Sequence, residues 1–506
     1  MNPAFQDLLE DLPSYLGGHL LLSLAALAVG LAVSVPLGIA VSRRPRLAEW
    51  ALVVAGVIQT IPSLALLALM VPLLGGTIGF APAFVAMTLY SFLPILANTV
   101  IGIKGVDPAL TEAARGLGMS DRQMLWRVQL PLAAPVILSG IRTATVLVVG
   151  TATLATPVGE TTLGNYIFAG LNMRDHFATV FGCVCAALLA VVLDQLVHLL
   201  ELAARRRSRG LAWAGALGLL LVLGGGLYDP LARLLSPPPN PVIVGSADYT
   251  EQHILSEVLK HQLQSAGFTV EQRKGMGETI EFDSLCAGEI DCYVDYSGNI
   301  WTTMMKRPDF KDRQTVLAEI TAYLARDRGV TCLGSLGFEN AYALAMPRRR
   351  AQELHVRTIA DLAEQSPALT IAGDLQFFRR PEWVHVRQTY GLKFRETKTM
   401  DPTLMYSALS GDARSVDVIC AYTSDGRIAA HDLLILDDPA HAFPPYDAVL
   451  LVSPKAANKP GFVPALRGLL GTIDVEMMRE ANRQVDVEGR RPRQVGAELV
   501  GRKKGT

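Results

Sequence analysis

Six long apolar stretches fill the first half of the chain: Leu20–Ala40, Ala51–Leu74, Ala81–Ile103, Leu132–Ala152, Phe177–Leu200 and Leu211–Tyr228. Each comes near the roughly 20 apolar residues that a helix needs to cross a bilayer core. Gly and Pro recur inside them, as membrane spans tolerate. The pattern predicts an all-α membrane domain of about six transmembrane helices. After Pro241 the pattern changes. Short apolar runs (241–244, 268–272, 291–295, 341–346, 369–372, 416–421 and 433–436) alternate with helical segments. The clearest of these is 251–264, with Ile254, Leu255, Val258, Leu259 and Leu263 on one face. Strands alternating with helices predict an α/β domain with mostly parallel sheets, long enough for two lobes.

Composition sharpens the split. Of the first 240 residues 26 are charged, against 67 of the following 266. The first part reads as membrane and the second as a water-soluble domain. The boundary is the run Ser236-Pro237-Pro238-Pro239-Asn240-Pro241, a stiff spacer through which no helix continues. The expected domains are therefore 1–235 and 242–506, joined by a linker at 236–241. A net charge of -1 argues against a nucleic-acid partner.

Lys and Arg gather in alternate loops: Arg43, Arg44 and Arg46; then Lys104, Arg115, Arg122 and Arg127; then Arg205, Arg206, Arg207 and Arg209. With six spans these loops fall on one side, which the positive-inside rule assigns to the cytoplasm. The amino terminus and the soluble domain are then extracytoplasmic. In or beside the spans lie Arg142, Asp194 and Glu160. The first two sit near cytoplasmic ends, where a long side chain reaches water, and Glu160 is expected on the external side.

The long basic loop, 108–131, carries a spaced pattern. Glu112-Ala113-Ala114 is followed after three residues by Gly118, and after nine more by Val128-Gln129-Leu130-Pro131. It predicts a helix from Pro108 to Arg115, a turn at Gly116 and Gly118, and a second helix from Ser120 that Pro131 stops at the membrane edge. This spacing resembles the EAA loop of ABC-importer permeases, which docks on the ATPase. The resemblance implies coupling roles for Glu112, Ala113, Ala114, Gly118, Leu130 and Pro131. No GxxxxGK[ST] phosphate loop is present, so the ATPase is expected as a separate cytoplasmic subunit. A second permease copy is expected as well, since such pores need two and the chain holds one EAA loop.

The soluble domain has no HExxH, GxSxG or Cys-x-x-Cys pattern. No catalysis, cofactor or metal is therefore expected of this chain. What stands out is tyrosine: nine of 13 lie after residue 240. Tyr296, Tyr342, Tyr422 and Tyr446 sit near strand ends, where α/β sheets bind ligands, and grouped tyrosines hold quaternary ammonium ions by cation–π attraction. Arg379, Arg380 and Thr423, with the backbone near Asp248, are candidates for an accompanying carboxylate. Cys286 and Cys292 either pair or stay as free thiols.

The runs Gly245-Ser246-Ala247-Asp248-Tyr249-Thr250-Glu251-Gln252, Tyr296-Ser297-Gly298, Ala421-Tyr422-Thr423-Ser424-Asp425-Gly426 and Phe443-Pro444-Pro445-Tyr446 are similar to those of osmoprotectant substrate-binding proteins. With the membrane half, the chain resembles permease–binding-protein fusions for glycine betaine, choline and carnitine, a group that includes ergothioneine importers. The resemblance implies a type I ABC importer permease joined to a two-lobed periplasmic-binding-protein domain, in the bacterial inner membrane. It implies cage roles for Tyr296, Tyr342 and Tyr422, with Asn299 and Tyr446 beside them. The alternatives are ergothioneine-specific uptake and a membrane-bound solute sensor, although no cytoplasmic signalling module is visible. The segment 373–383 departs furthest from the familiar pattern.

Overall fold

A computed structural model describes residues 3–172, 175–226, 241–247, 249–307, 309, 311–400, 405, 406, 408, 409 and 415–502. The chain forms two compact units, one of Met1–Pro239 with Arg273–Ile280, the other of Asn240–Gln272 with Glu281–Thr506. The expected linker at 236–241 lies outside the described residues except for Pro241.

The first unit is helical: α1 (Pro3–Ser42), α2 (Pro45–Thr60), α3 (Ser63–Leu73), α4 (Phe80–Lys104), α5 (Pro108–Gly116), α6 (Asp121–Met124), α7 (Leu130–Ala152), α8 (Gly164–Asn172), α9 (His176–Arg206) and α10 (Arg209–Gly226). Among the described residues, five helical stretches are long and apolar enough to span a membrane. The second expected span is instead broken, with α2 and α3 bent 97° apart. Pro62 accounts for this, because it cannot donate to the helix and holds Ile61 in an extended conformation (φ -68, ψ 127). A central pair, α4 and α7, packs against α1 and α9 respectively. Val53, Val57, Leu217 and Leu221 remain exposed, as expected of side chains that meet lipid.

Two further details correct the sequence reading. Pro131 does not stop a helix: α6 runs through a π-helical turn, Leu125–Gln129, directly into α7, with Pro131 in its first turn. The wider turn absorbs the donor that proline lacks and the room its ring needs. Arg142 does not reach out alone either. Its Nη2 donates to Asp194 Oδ2 at 2.8 Å, with His198 Nδ1 3.2 Å from its Nη1, so α7 and α9 are tied by a paired charge.

The α/β part of the chain has two lobes, each on a five-stranded sheet. The strands are β1 (Val242–Ala247), β2 (Val270–Met276), β3 (Cys292–Tyr296), β4 (Thr331–Glu339), β5 (Tyr342–Pro347), β6 (Thr370–Gly373), β7 (Glu396–Thr399), β8 (Val418–Tyr422), β9 (Leu433–Ile435) and β10 (Asp447–Val452). Lobe one has the order β2-β1-β3-β10-β4 and lobe two β7-β6-β8-β5-β9. The sheets are mixed rather than mostly parallel: β10 runs antiparallel to β3 and β4, and β5 antiparallel to β8 and β9. The reason is that the chain leaves lobe one between β4 and β5 and returns before β10, entering each sheet from the opposite end. Between the lobes, Thr423 straps the first crossing. Its Oγ1 accepts from Ala341 N at 3.0 Å and donates to Glu339 O at 2.9 Å.

Candidate functional site

β5 starts and β8 ends at the same edge of the lobe-two sheet, and their register sets Tyr342 opposite Tyr422. The ring centroids are 4.8 Å apart and the hydroxyls 3.2 Å apart. Tyr446, on the return crossing, meets the Tyr342 ring edge-on at 6.0 Å and 88°. Phe377 closes the far side, 5.5 Å from Tyr342. It lies on α11 (Leu375–Arg379), capped by Asp374, whose Oδ1 accepts from Phe377 N at 2.7 Å. Phe377 is fully buried, which is worth about 1.5–3 kcal/mol for such a ring.

Arg380 occupies the position just before α12 (Pro381–Tyr390). Its guanidinium carbon sits 5.3 Å from the Tyr342 centroid, and its Nη1 donates to Tyr446 Oη at 3.2 Å and to Glu382 Oε1 at 3.3 Å. Glu382 Oε1 also accepts from the Tyr446 hydroxyl at 2.7 Å, while Oε2 is buried with no partner among the described residues. Burial pushes the Tyr342 hydroxyl up to about 12 and raises Tyr422 and Tyr446 as well. The rings therefore stay neutral at physiological pH. Three tyrosine rings, a phenylalanine, one carboxylate and one guanidinium together suit a small solute with a cationic and an anionic end.

Tyr296 has a different setting. It ends β3 and donates its hydroxyl to Glu251, which also accepts from Asn340 Nδ2 at 3.1 Å and Asn482 Nδ2 at 2.8 Å. Burial raises the Glu251 carboxyl above its ordinary value, against the hydrogen bonds that favour its charge. Tyr296 still adjoins the ring cluster through its neighbours. Ser297 Oγ donates to Pro445 O and accepts from Asp447 N, and Gly298 packs against the Tyr446 ring. Thus the Tyr-Ser-Gly and Phe-Pro-Pro-Tyr runs, distant in sequence, lock together.

The other expected residues fare variously. Asn299 is half-buried on the short helix after β3. Asp248 lies outside the described residues. Arg379 is exposed, so of the pair only Arg380 reaches the rings. The Thr423 hydroxyl has its proton committed to Glu339, which leaves none for a ligand carboxylate. Cys286 and Cys292 are free thiols, the former pushed up to about 11 by burial. Sequence reasoning missed Glu251, Phe377 and Glu382, although the last two fall in the unfamiliar segment 373–383.

In the helical unit, Asp107 caps α5 by accepting from Ala109 N at 2.9 Å. Ser120 caps α6 in a reciprocal box with Gln123. Between them Gly118 takes φ +77, a left-handed turn that glycine adopts without penalty. Glu112, Ala113, Leu117 and Gly118 are exposed, while Ala114 is buried and packs inward. Leu130 is half-buried and Pro131 exposed.

Comparison with known proteins gives two family matches. Residues 240–500 match the OpuAC family, the substrate binding domain of ABC-type glycine betaine transport systems. Residues 30–206 match the inner membrane component of binding-protein-dependent transport systems. A Helicobacter pylori protein, the ergothioneine transport permease/ergothioneine binding protein EgtU, is 29% identical over 464 residues, covering 89% of this chain and 82% of its own. The Bacillus subtilis glycine betaine/carnitine/choline transport system permease protein OpuCB is 44% identical over 185 residues, 37% of this chain and 84% of that one. A solved glycine betaine/carnitine/choline ABC transporter structure aligns at 26% identity and a TM-score of 0.49, over 52% of this chain and 98% of its own.

Proposed function

Because the chain belongs to the OpuAC family of glycine betaine-type substrate-binding domains, joined here to an importer membrane component, we propose that it captures a betaine-type solute and passes it through its own helical domain. The observation that carries the reading is the cluster of Tyr342, Tyr422 and Tyr446 with Arg380 at one sheet edge. The quaternary ammonium lies against the tyrosine rings, near the Glu382 charge. The carboxylate takes the Arg380 guanidinium. Closure turns on the two crossings that Thr423 and Ser297 brace, as in hinge-closing receptors. The chain itself breaks no covalent bond.

The exposed face of 108–121 serves as the docking knob for a separate cytoplasmic ATPase, with Glu112, Ala113 and Gly118 on it and Leu130 and Pro131 carrying its movement into α7. Two copies of the chain complete one pore. The basic loops face the cytoplasm and the binding domain lies outside the inner membrane. Tethering holds the receptor near the pore at an effective concentration in the millimolar range.

A second reading, ergothioneine uptake, draws on the Helicobacter pylori relative, whose match runs through both units. Calorimetric titration of the full chain in detergent micelles with glycine betaine, choline, carnitine and ergothioneine tests both. Micromolar binding of one of them supports the class and selects the solute. No binding of any sinks the cage.

A further inference from the structure

The aromatic cluster does not end at the cage. From Tyr342 the rings continue through Phe377 to Trp383 at 5.2 Å, and from Trp383 to Phe394 at 6.3 Å. Beyond Phe377 these rings wall a separate cavity of about 570 Å³ in lobe two, none of whose lining residues belongs to the cage. That volume falls in the range of about 300–1,000 Å³ typical of small-molecule sites.

Its charge balance differs from that of the cage. Phe378, Trp383 and Phe394 form the apolar wall, and Arg387 and Lys393 are the charged lining residues. Among the described residues, no acidic side chain lines it. The rings stand at varied tilts, 73° between Phe378 and Trp383 and 30° between Trp383 and Phe394. Such walls give both edge and face contacts to an inserted ring. β7, the edge strand of its sheet, also contributes to the lining. Thr397 and Thr399 share one face of it by the two-residue period and add hydroxyls to the lining. The charge pair Glu396 and Lys398, with Lys398 half-buried, lies on the other face.

We propose that this cavity is a second ligand site, for a flat aromatic ring carrying a carboxylate, the ring held by Trp383, Phe378 and Phe394 and the carboxylate by Arg387 and Lys393. A guanidinium takes a carboxylate through two parallel hydrogen bonds, and the paired cations select against the cationic solutes that the cage would hold. The site does not depend on what the cage binds.

The test uses the full chain in detergent micelles, titrated with phenylacetate and benzoate and, in parallel, with the uncharged phenylacetamide and benzamide, by saturation-transfer NMR. At least one acid should bind saturably below millimolar concentration, and its amide at least tenfold more weakly. The double variant R387E/K393E should lose the acid at least tenfold with its melting temperature unchanged, since both side chains are exposed. Failure of both acids to bind, equal binding of acid and amide, or full retention of binding in the double variant would each overturn the proposal.

Discussion

Tyr342 and Tyr422 are direct cross-strand partners, and their hydroxyls meet at 3.2 Å at the rim of lobe two. The pairing sets the two rings side by side through the backbone register, so each would supply one face of the proposed cage. Removing either ring should then cost the whole face it supplies. Tyr342→Ala and Tyr422→Ala should each weaken binding of the cognate quaternary ammonium by more than ~1 kcal/mol. Tyr422→Phe, which keeps the ring and loses only the hydroxyl contact, should weaken it much less. Titration of the full-length variants decides this, and wild-type affinity in both alanine variants would remove the cage.

In the proposed cage, Arg380 is the side chain that would tell a betaine from a simple cation. Replacing it with Gln removes a charge-assisted hydrogen bond worth about 1.5–3 kcal/mol. Glycine betaine should bind at least tenfold more weakly to Arg380→Gln. Choline, which has no carboxylate, should be unaffected or bind better, since the guanidinium no longer crowds the Tyr342 face. Equal losses for the two ligands would mean that Arg380 only supports the fold.

These two residues mark how far the sequence could be read. The clustering of Tyr342, Tyr422 and Tyr446 could be anticipated because each stands beside Gly, Asn or Pro near a strand end, although any one of them alone also fits core packing, and Tyr342 and Tyr446 are buried. Ser120 was legible as a helix cap from its side chain alone. The broken span was not, because the apolar pattern runs unchanged across Ile61 and Pro62 and membrane helices often carry proline. β10 and its direction were hidden because they depend on a return between lobes that leaves no local signature. Glu251 and Glu382 look like surface acids in the sequence. They are buried, and their hydrogen-bond partners include residues far along the chain, such as Asn482, 231 residues from Glu251.

Gly298 is required by a close approach. A Cβ at this position would stand 2.5 Å from the Tyr446 ring, and the ring cannot retreat without releasing Glu382 and Arg380. Gly298→Ala should therefore cost about 1–3 kcal/mol as an overpacked site, seen as a lowered melting temperature of the binding unit. It should also weaken solute binding. An unchanged melting temperature would show that the ring shifts freely.

Glu251 gives a pH dependence with a definite sign. Its folded value lies above the ordinary 4.5, chiefly through burial, so the folded state holds the proton more tightly than the unfolded chain. Its favourable contribution is complete below about pH 4.5 and is lost as pH rises through the raised value. Glu251→Gln removes that titration. The stability of wild type relative to Glu251→Gln should hence be greatest at acid pH and fall on approach to neutrality. The groups facing it, Tyr296, Asn340 and Asn482, are unchanged in the comparison. A difference in stability that stays flat with pH would contradict the assignment.

The proposed docking segment 108–121 offers a separation of function. Gly118 at φ +77 cannot become valine without strain, because a β-branched residue is an outlier in the left-handed region. Glu112 is exposed on the same knob, so Glu112→Lys reverses a charge without touching a core. Both changes lie outside the binding domain. Full-length Gly118→Val and Glu112→Lys should bind solute with wild-type affinity, while ATP-driven uptake of radiolabelled solute by intact cells falls at least tenfold. Uptake retained in both variants would remove the coupling role from 108–131. Lost binding in either would mean that the two units do not act separately, and that capture itself depends on the state of the helical domain.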